Sequence, residues 1–266
     1  VLQGLTEFLP ISSSGHLVLA ETFLGIQLSP ADLQGFDILL HGGTALALLL
    51  CYIKTWWRIC TSFCRPDRPH RRLLGQLILA TLPAAVLGVL YQDVIAEHLR
   101  SPLSVGIAFL VTASLLTVAH WTRPARTDPF GPGGRERTLF EANVQQVMAM
   151  GVLQALALIP GISRAGATIS AGQLTGLSRR AALDFSFLMA LPIIFGAFVL
   201  TMIDVWSGTV MLPPSAIALT GFAASFLVSL LTVFSLRVFV VKFSLVWFTA
   251  YLVPLAGILI GYTVFG

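Results

Sequence analysis

The residues best suited to chemistry in this sequence are polar groups placed inside two apolar segments. Residues 5–17, LTEFLPISSSGHL, contain Glu7, three consecutive serines and His16. Residues 160–168, PGISRAGAT, contain Arg164 between hydroxyl-bearing neighbours. An ionisable side chain in an apolar environment is costly and usually functional, so these two segments form the candidate site.

The second segment has the composition of an anion-binding site. Glycines and Ser163 surround Arg164, and Thr168 follows four residues later. Exposed amides at a helix N-terminus, hydroxyls and a guanidinium together favour phosphate. Because the segment lies within an apolar run, we expect the anion to be attached to a lipid-soluble group.

The first segment adds candidate metal ligands and a candidate nucleophile. Gln3 and Glu7 are four residues apart, so on a helix they share a face and can offer oxygens to Mg²⁺ or Ca²⁺ bridging two phosphates. Ser13 is a candidate nucleophile, and His16, about one helical turn away, is its candidate base. The remaining candidate substrate-binding groups are Gln3, Ser12, Ser14, Ser163 and Thr168. This pattern predicts metal-assisted phosphoryl transfer on a lipid phosphate or diphosphate, by attack of Ser13 or of an activated water.

The same polar groups also have a structural interpretation. Serines can satisfy the amides of a broken helix, and Glu7 and Arg164 can pair as a strut. Polar sets occur at both helix breaks, however, and charge inside a membrane is functional more often than structural. We therefore favour chemistry over a purely structural role.

Composition indicates that these segments lie in a membrane. Of the 266 residues, 56% are hydrophobic and 11% charged, whereas soluble domains contain about 25% charged residues. Six apolar runs are long enough to span a bilayer: 35–53, 73–91, 102–121, 181–204, 214–236 and 243–265. We expect an all-α integral membrane protein, and the small net charge of +4 gives no indication of nucleic-acid binding.

Two further apolar stretches, 1–20 and 144–175, are interrupted by Pro, Gly and Ser. Hydrocarbon does not tolerate the exposed amides of a broken helix, so both stretches are predicted to be re-entrant helical hairpins buried by protein or lining a wet cavity. The chain also begins inside an apolar segment, so we expect its natural start upstream of Val1, with no cleavable signal peptide.

The two halves of the chain resemble each other. QGLTEFLPISSSG at 3–15 aligns with QALALIPGISRAG at 154–166. Each half then contains one hairpin followed by three spans, and because three is odd the second copy must be inverted. We predict one membrane domain, 1–266, with inverted repeats at about 1–121 and 144–265 joined by a cytoplasmic linker, 122–143.

Basic residues set the predicted orientation. All Lys and Arg residues except Arg100 and Arg164 fall in four regions, which the positive-inside rule places in the cytoplasm. The first hairpin then enters from the outside and the second from the cytoplasm. Their tips should meet near the midplane.

At these residues the sequence resembles the undecaprenyl-diphosphate phosphatase family, BacA/UppP. The family signatures EGLTEFLP-x-SS-x-GH and PG-x-SRSGAT stand here as QGLTEFLPISSSGH and PGISRAGAT, and the resemblance covers nearly the whole chain. It implies hydrolysis of undecaprenyl diphosphate to the monophosphate, which recycles the carrier lipid for peptidoglycan synthesis. It also implies a divalent-metal requirement, bacitracin resistance, a bacterial inner (plasma) membrane location and a site facing the periplasm.

Carried over by position, the resemblance assigns Glu7 as the motif carboxylate, Ser13 as the proposed nucleophile and His16 as the motif histidine. It assigns Arg164 as the phosphate-binding arginine. Two positions depart from the family pattern: Gln3 stands where many members have Glu, and Ala165 stands where the signature has Ser. A Gln can offer an oxygen to a metal but brings no negative charge, so more of the task falls to Glu7.

The alternative function is a transporter or flippase for polyprenyl phosphate, since inverted repeats with broken helices are common in carriers. Pure carriage requires no nucleophile and no metal-binding carboxylate, which favours the enzyme. The expected partners are a polyprenyl diphosphate substrate and membrane lipid, and a homodimer is left open. His41, beside Gly42 and Gly43, is expected at a helix-packing face, with cavity lining as the alternative.

Overall fold

The computed structural model describes residues 1–25, 30–122, 139–210 and 212–265, and all the regular secondary structure in these ranges is helical. The N-terminal part contains α1 (Leu2–Thr6), α2 (Ser13–Phe23), α3 (Pro30–Cys51), α4 (Ile53–Thr61), α5 (Arg68–His98) and α6 (Pro102–Trp121). The C-terminal part contains α7 (Val144–Leu156), α8 (Arg164–Leu174), α9 (Arg179–Ser207), α10 (Ser215–Lys242) and α11 (Thr249–Phe265). Short 3₁₀ helices cover Leu139–Glu141 and Leu245–Phe248. Most of the predicted linker, 122–143, lies outside the described residues.

The chain is a multi-pass membrane protein with five or six candidate spans. Five stretches are long and apolar enough to cross a bilayer: Arg68–Tyr91, Pro102–Trp121, Arg179–Ser207, Ser215–Val240 and Leu245–Phe265. A sixth is obtained if Gly35–Cys51 and Ile53–Thr61, bent by 75° at their junction, count as one span. The expected first span, 35–53, therefore ends in a sharp bend, where the chain enters the basic stretch that begins at Lys54. Charged side chains are unfavourable in hydrocarbon, which accounts for the bend at this point.

A polar cluster holds the bend against two other helices. The Tyr52 hydroxyl donates to Asp184 Oδ1 of α9 at 2.5 Å. Arg237 of α10 approaches the same oxygen at 3.7 Å and lies 5.1 Å from the centre of the Tyr52 ring. The bend is thus tied to α9 and α10 by a carboxylate with both a hydroxyl and a guanidinium partner.

Sequence signals explain where several long helices begin and end. Asp67 caps α5, Ser101 caps α6 and Ser178 caps α9, each accepting a backbone N–H from the first turn. Helix α9 ends at Gly208, whose φ of 81° is the left-handed conformation that glycine adopts without strain.

Two pairs of shorter helices lie among the spans. Helix α2 and helix α8 each have 11 residues, about 16 Å at 1.5 Å per residue, against a hydrocarbon thickness of about 30 Å. Helix α1 packs on α10, and α7 packs on α5. Both contacts are close: a Cβ at Gly4 would lie 2.6 Å from the Ser225 carbonyl oxygen, and one at Gly151 would lie 2.7 Å from the Ala80 carbonyl oxygen.

The core is formed where the short helices meet the spans. Phe8, in the loop between α1 and α2, is fully buried and packs edge-to-face on Phe187 of α9, with ring centroids 5.3 Å apart. Phe109 of α6 is also fully buried and lies against Gly15 of α2. These aromatic contacts hold the first broken helix against spans from both parts of the chain.

Candidate active site

The two interrupted segments are in contact. Residues 7–12 separate α1 from α2, and residues 157–163 separate α7 from α8. A Cβ at Gly15 would lie 3.0 Å from Gly161 Cα, and Ser163 Oγ donates to the Leu9 carbonyl at 3.4 Å. Gly161 has φ of 98°, and a Cβ there would lie 2.6 Å from Ala108 Cβ, so only glycine permits this loop path.

A serine caps each of the two helices that follow the breaks. Ser12 Oγ accepts from Gly15 N at 3.3 Å, and Ser163 Oγ accepts from Gly166 N at 3.0 Å. Ser12 is the one non-glycine residue with positive φ, 71°, in the described part of the chain. Strained backbone of this kind clusters at functional sites. The hydroxyls of these two predicted substrate-binding serines are thus engaged in capping the helices.

Glu7 is the centre of the site. One carboxylate oxygen, Oε1, is paired with Arg164 Nη2. The other, Oε2, accepts from Ser13 Oγ at 2.5 Å and from Gln3 Nε2 at 3.0 Å. The structure therefore brings three of the predicted residues, Gln3, Ser13 and Arg164, around the buried carboxylate of Glu7, and the Ser13 hydroxyl already donates to it.

Arg164 keeps donors available for an anion. Nη2 contacts Glu7, whereas Nη1 is buried without a hydrogen-bond partner among the described residues. An unsatisfied buried guanidinium nitrogen is unfavourable and fits an oxygen ligand that is absent from the protein itself. The arrangement suits a phosphoryl group that contacts Arg164 through Nη1 while Nη2 stays on Glu7.

The other hydroxyls near Arg164 support the helix. Thr168 is fully buried; its Oγ1 donates to the Arg164 carbonyl at 2.8 Å and lies 2.6 Å from Ser186 Oγ of α9. Thr168 therefore fixes the first turn of α8 against α9. Ser14 is half-buried, with its Oγ 3.3 Å from Ser12 Oγ.

The ring nitrogens of His16 are hydrogen-bonded to groups other than the Ser13 hydroxyl. Its Nδ1 lies 2.7 Å from the Ser12 carbonyl oxygen and its Nε2 lies 2.7 Å from the Tyr251 hydroxyl. A carbonyl only accepts, so Nδ1 carries a proton, and in the neutral ring Nε2 accepts from the Tyr251 hydroxyl. Both ring nitrogens therefore have hydrogen-bond partners: the Ser12 carbonyl at the start of α2 and the Tyr251 hydroxyl. The sequence predicts His16 as the hydrogen-bond partner and base of Ser13, whereas in the structure that partner is Glu7.

Two residues near the site differ from the sequence-based expectation. Tyr251 was not predicted at all, and His41 was expected mainly at a helix-packing face. Tyr251 is an isolated tyrosine in an apolar run, and no local pattern marks it. His41 Nδ1 lies 2.8 Å from the Asp37 carbonyl oxygen, and Nε2 lies 3.6 Å from Glu7 Oε2. Its side chain lines a cavity, which was the alternative to helix packing, while Gly42 and Gly43 do pack closely, against α9 and α10.

A cavity of about 490 Å³ reaches the Glu7 carboxylate. Its polar lining includes Asp37, His41, Arg100 and Asp204, and its apolar lining comes largely from α5 and α9. Arg100 is held by Glu21 at 3.1 Å and Asp37 at 3.6 Å. A charged group at Glu7 and an apolar chain attached to it can therefore occupy one continuous space.

The oxygen and nitrogen groups around Glu7 meet the requirements of a divalent cation only in part. Within the described ranges, no group of three or more His, Cys, Asp or Glu side chains is arranged to hold a metal. Gln3 Oε1, however, is buried without a partner there, beside Glu7. Mg²⁺ commonly binds through one or two carboxylates and the phosphates of a substrate. Gln3 and Glu7 fit a cation that arrives with a diphosphate.

Comparison with known proteins gives a consistent result. The family model described as "Bacitracin resistance protein BacA" matches residues 1–258. The undecaprenyl-diphosphatase of Desulforudis audaxviator is 36% identical over 261 residues, covering 96% of this chain and 95% of that protein. The undecaprenyl-diphosphatase of Corynebacterium efficiens is 37% identical over 268 residues, covering 98% of this chain and 86% of that protein. That of Verminephrobacter eiseniae is 38% identical over 253 residues, with coverage of 94% and 88%.

Proposed function

The chain belongs to the bacitracin resistance protein BacA family, and from this premise we propose that it hydrolyses undecaprenyl diphosphate to undecaprenyl phosphate and inorganic phosphate. The reaction recycles the lipid carrier used in cell-wall synthesis. The observation that supports this function best is the set around Glu7: a serine hydroxyl donates to one carboxylate oxygen and an arginine pairs with the other. That set adjoins a cavity with an apolar wall.

In the proposed mechanism Ser13 is the nucleophile and Glu7 is its base. As Ser13 Oγ forms a bond to the terminal phosphorus, its proton passes to Glu7 Oε2, 2.5 Å away. The bond from that phosphorus to the bridging oxygen breaks, and undecaprenyl phosphate leaves with the electron pair. The proton that Glu7 took from Ser13 leaves with undecaprenyl phosphate. Water then attacks the phosphoserine and gives a proton to Glu7. The phosphorus–Oγ bond breaks, Ser13 Oγ regains a proton from Glu7, and inorganic phosphate is released.

Charge neutralisation is the main task of this site, since phosphoryl transfer spreads negative charge over the transferred group. Arg164 Nη1 and the first amides of α8 are the donors that would meet the phosphoryl oxygens. A Mg²⁺ or Ca²⁺ ion held by Glu7, Gln3 and the substrate would neutralise further diphosphate charge. His16, engaged by Tyr251 and the Ser12 carbonyl, positions the start of α2 in this scheme.

The membrane arrangement follows from the same proposal. The pairs α1–α2 and α7–α8 are re-entrant hairpins of an inverted repeat within a single domain, 1–266, with halves at about 1–121 and 144–265. Matched serine caps at Ser12 and Ser163, and the contact between the two loops, support this arrangement. The cavity extends to Arg100 and Asp204, at the helix ends opposite the basic regions, which supports access from the periplasm.

Phosphate release by the purified protein tests the function. In detergent with Mg²⁺, the wild-type protein should release inorganic phosphate from undecaprenyl diphosphate, and Glu7→Gln should lose nearly all of this activity. Glu141→Gln, in the 3₁₀ helix before α7 and outside the cavity lining, is the matched control and should retain activity. Binding of the diphosphate without phosphate release would instead support a carrier and contradict the enzymatic assignment.

A further inference from the structure

The cavity at Glu7 has a polar face, which includes the Glu7 carboxylate, and an apolar face, which has no role in the proposed chemistry. Asp37 and His41 of α3 lie on the polar face with Glu7. The second, apolar face is formed by α5 and α9 and consists mainly of small or apolar residues, among them Ala84, Gly88 and Gly196.

Gly88 and Gly196 leave open space on this apolar face. A Cβ at Gly88 would lie 3.8 Å from the nearest atom, Leu158 Cδ2, and one at Gly196 would meet nothing within 4 Å. Glycine in the interior of a helix is unfavourable, and in membranes it usually serves close helix packing. Neither glycine is closely packed here, in contrast to Gly4 and Gly151, so the space they leave is available to a ligand.

The apolar face is also continuous with the outside of the helix bundle. Val89 and Leu200, which line the same cavity on α5 and α9, are 61% and 50% exposed. In a membrane protein such apolar exposure faces lipid. An apolar chain can therefore lie along this face, between the Glu7 carboxylate and the exposed apolar side chains of α5 and α9.

We infer that this face, with Gly88 and Gly196 at its open positions, binds the methyl-branched isoprenoid chain next to the diphosphate and determines which prenyl diphosphates are accepted. The inference rests on the proposed function, because it assigns the tail of the same substrate. The choice of occupant follows from continuity: the open face shares one cavity with the carboxylate that contacts Ser13 and Arg164. Branch methyls would fill the space left by the absent side chains.

Leucine substitutions test this assignment. Gly88→Leu and Gly196→Leu should raise the KM for undecaprenyl diphosphate about tenfold or more, since filling an apolar pocket by a few methylenes discriminates at this level. The kcat should change little, because the reacting groups remain in place. Gly75→Leu on α5 and Gly257→Leu on α11 are matched controls, since a Cβ at either position would also meet nothing within 4 Å and neither lines the cavity. Wild-type KM values in both cavity variants would overturn the inference.

A labelling experiment provides a readout that does not depend on turnover. An undecaprenyl phosphate analogue with a diazirine in the isoprene units nearest the phosphate should label peptides of α5 and α9 in the wild-type protein. Gly88→Leu should reduce this labelling, and excess undecaprenyl phosphate should compete whereas phosphatidylglycerol should not. Labelling of other helices, or equal competition by the phospholipid, would overturn the inference. Absence of phosphate release by the wild-type protein would count against the proposed function alone.

Discussion

Glu7 and Arg164 are 157 residues apart in the sequence and form one ion pair in the protein interior. The contact uses one oxygen of Glu7 and one nitrogen of Arg164, so the carboxylate retains Oε2 for Ser13 while the guanidinium retains Nη1. Each charge thus compensates the other in the absence of substrate, while Oε2 keeps its contact with Ser13 and Nη1 remains without a partner among the described residues. Removal of either partner would leave an uncompensated buried charge.

Arg164 should be essential for turnover. We expect Arg164→Ala to lower kcat by 10²-fold or more, the usual order for loss of one preorganised group that stabilises transition-state charge. Arg164→Lys should also lose most activity, because an ammonium cannot contact Glu7 and a phosphoryl oxygen with the same forked geometry. Phosphate release from undecaprenyl diphosphate measures both effects. Arg71→Ala, in the exposed basic stretch, is the control, and near-normal turnover in Arg164→Ala would refute the assignment.

Ser13 should form a covalent intermediate. Its hydroxyl is 2.5 Å from Glu7 Oε2, whereas that of Ser14 is 3.3 Å from Ser12 Oγ and has no carboxylate partner among the described residues. Ser13→Ala should therefore reduce kcat by about 10²-fold or more, and Ser14→Ala should have a much smaller effect. Acid quenching of the wild-type reaction during turnover should trap phosphoserine at Ser13, detectable by peptide mass spectrometry. A nearly fully active Ser13→Ala variant would instead indicate attack by water.

The contact between His16 and Tyr251 should contribute to stability more than to chemistry. Tyr251→Phe removes the hydroxyl that donates to Nε2, and we expect a loss of about 1 kcal/mol in the free energy of unfolding with a change in kcat of only a few-fold. Thermal unfolding in detergent and phosphate release measure the two quantities. Tyr262→Phe, near the end of α11, is the control. A large fall in kcat with an unchanged unfolding midpoint would show that His16 acts in the reaction.

Gln3 should tune the requirement for a divalent cation. EDTA should abolish phosphate release and added Mg²⁺ or Ca²⁺ should restore it. Gln3→Glu should lower the Mg²⁺ concentration needed for half-maximal activity, because a second carboxylate beside Glu7 is a better ligand for a hard cation. Gln3→Ala should raise that concentration. Full activity in EDTA, or identical Mg²⁺ titrations for the wild type, Gln3→Glu and Gln3→Ala, would contradict the assignment of Gln3 and Glu7 as metal ligands.

The sequence by itself determined the helical membrane character of the protein, the two broken segments and most of the residues that the structure brings together around Glu7. These features are local: apolar runs specify spans, and Pro, Gly and Ser specify where a helix stops and where the next one is capped. Ser12 and Ser163 follow that rule. Spacing also placed Gln3 and Glu7 one helical turn apart, with Gln3 in α1 and Glu7 directly after it, as their hydrogen bond shows.

Only the tertiary structure decided which groups touch. The partner of Ser13 is Glu7 and not His16, because the Ser12 carbonyl and Tyr251, 235 residues from His16, take both ring nitrogens. His41 reaches Glu7 for a similar reason: packing of α3 beside the first loop brings its ring to the cavity. The physical reason is that a side chain's partner depends on directions and distances between helices, and residue types along one helix do not encode these.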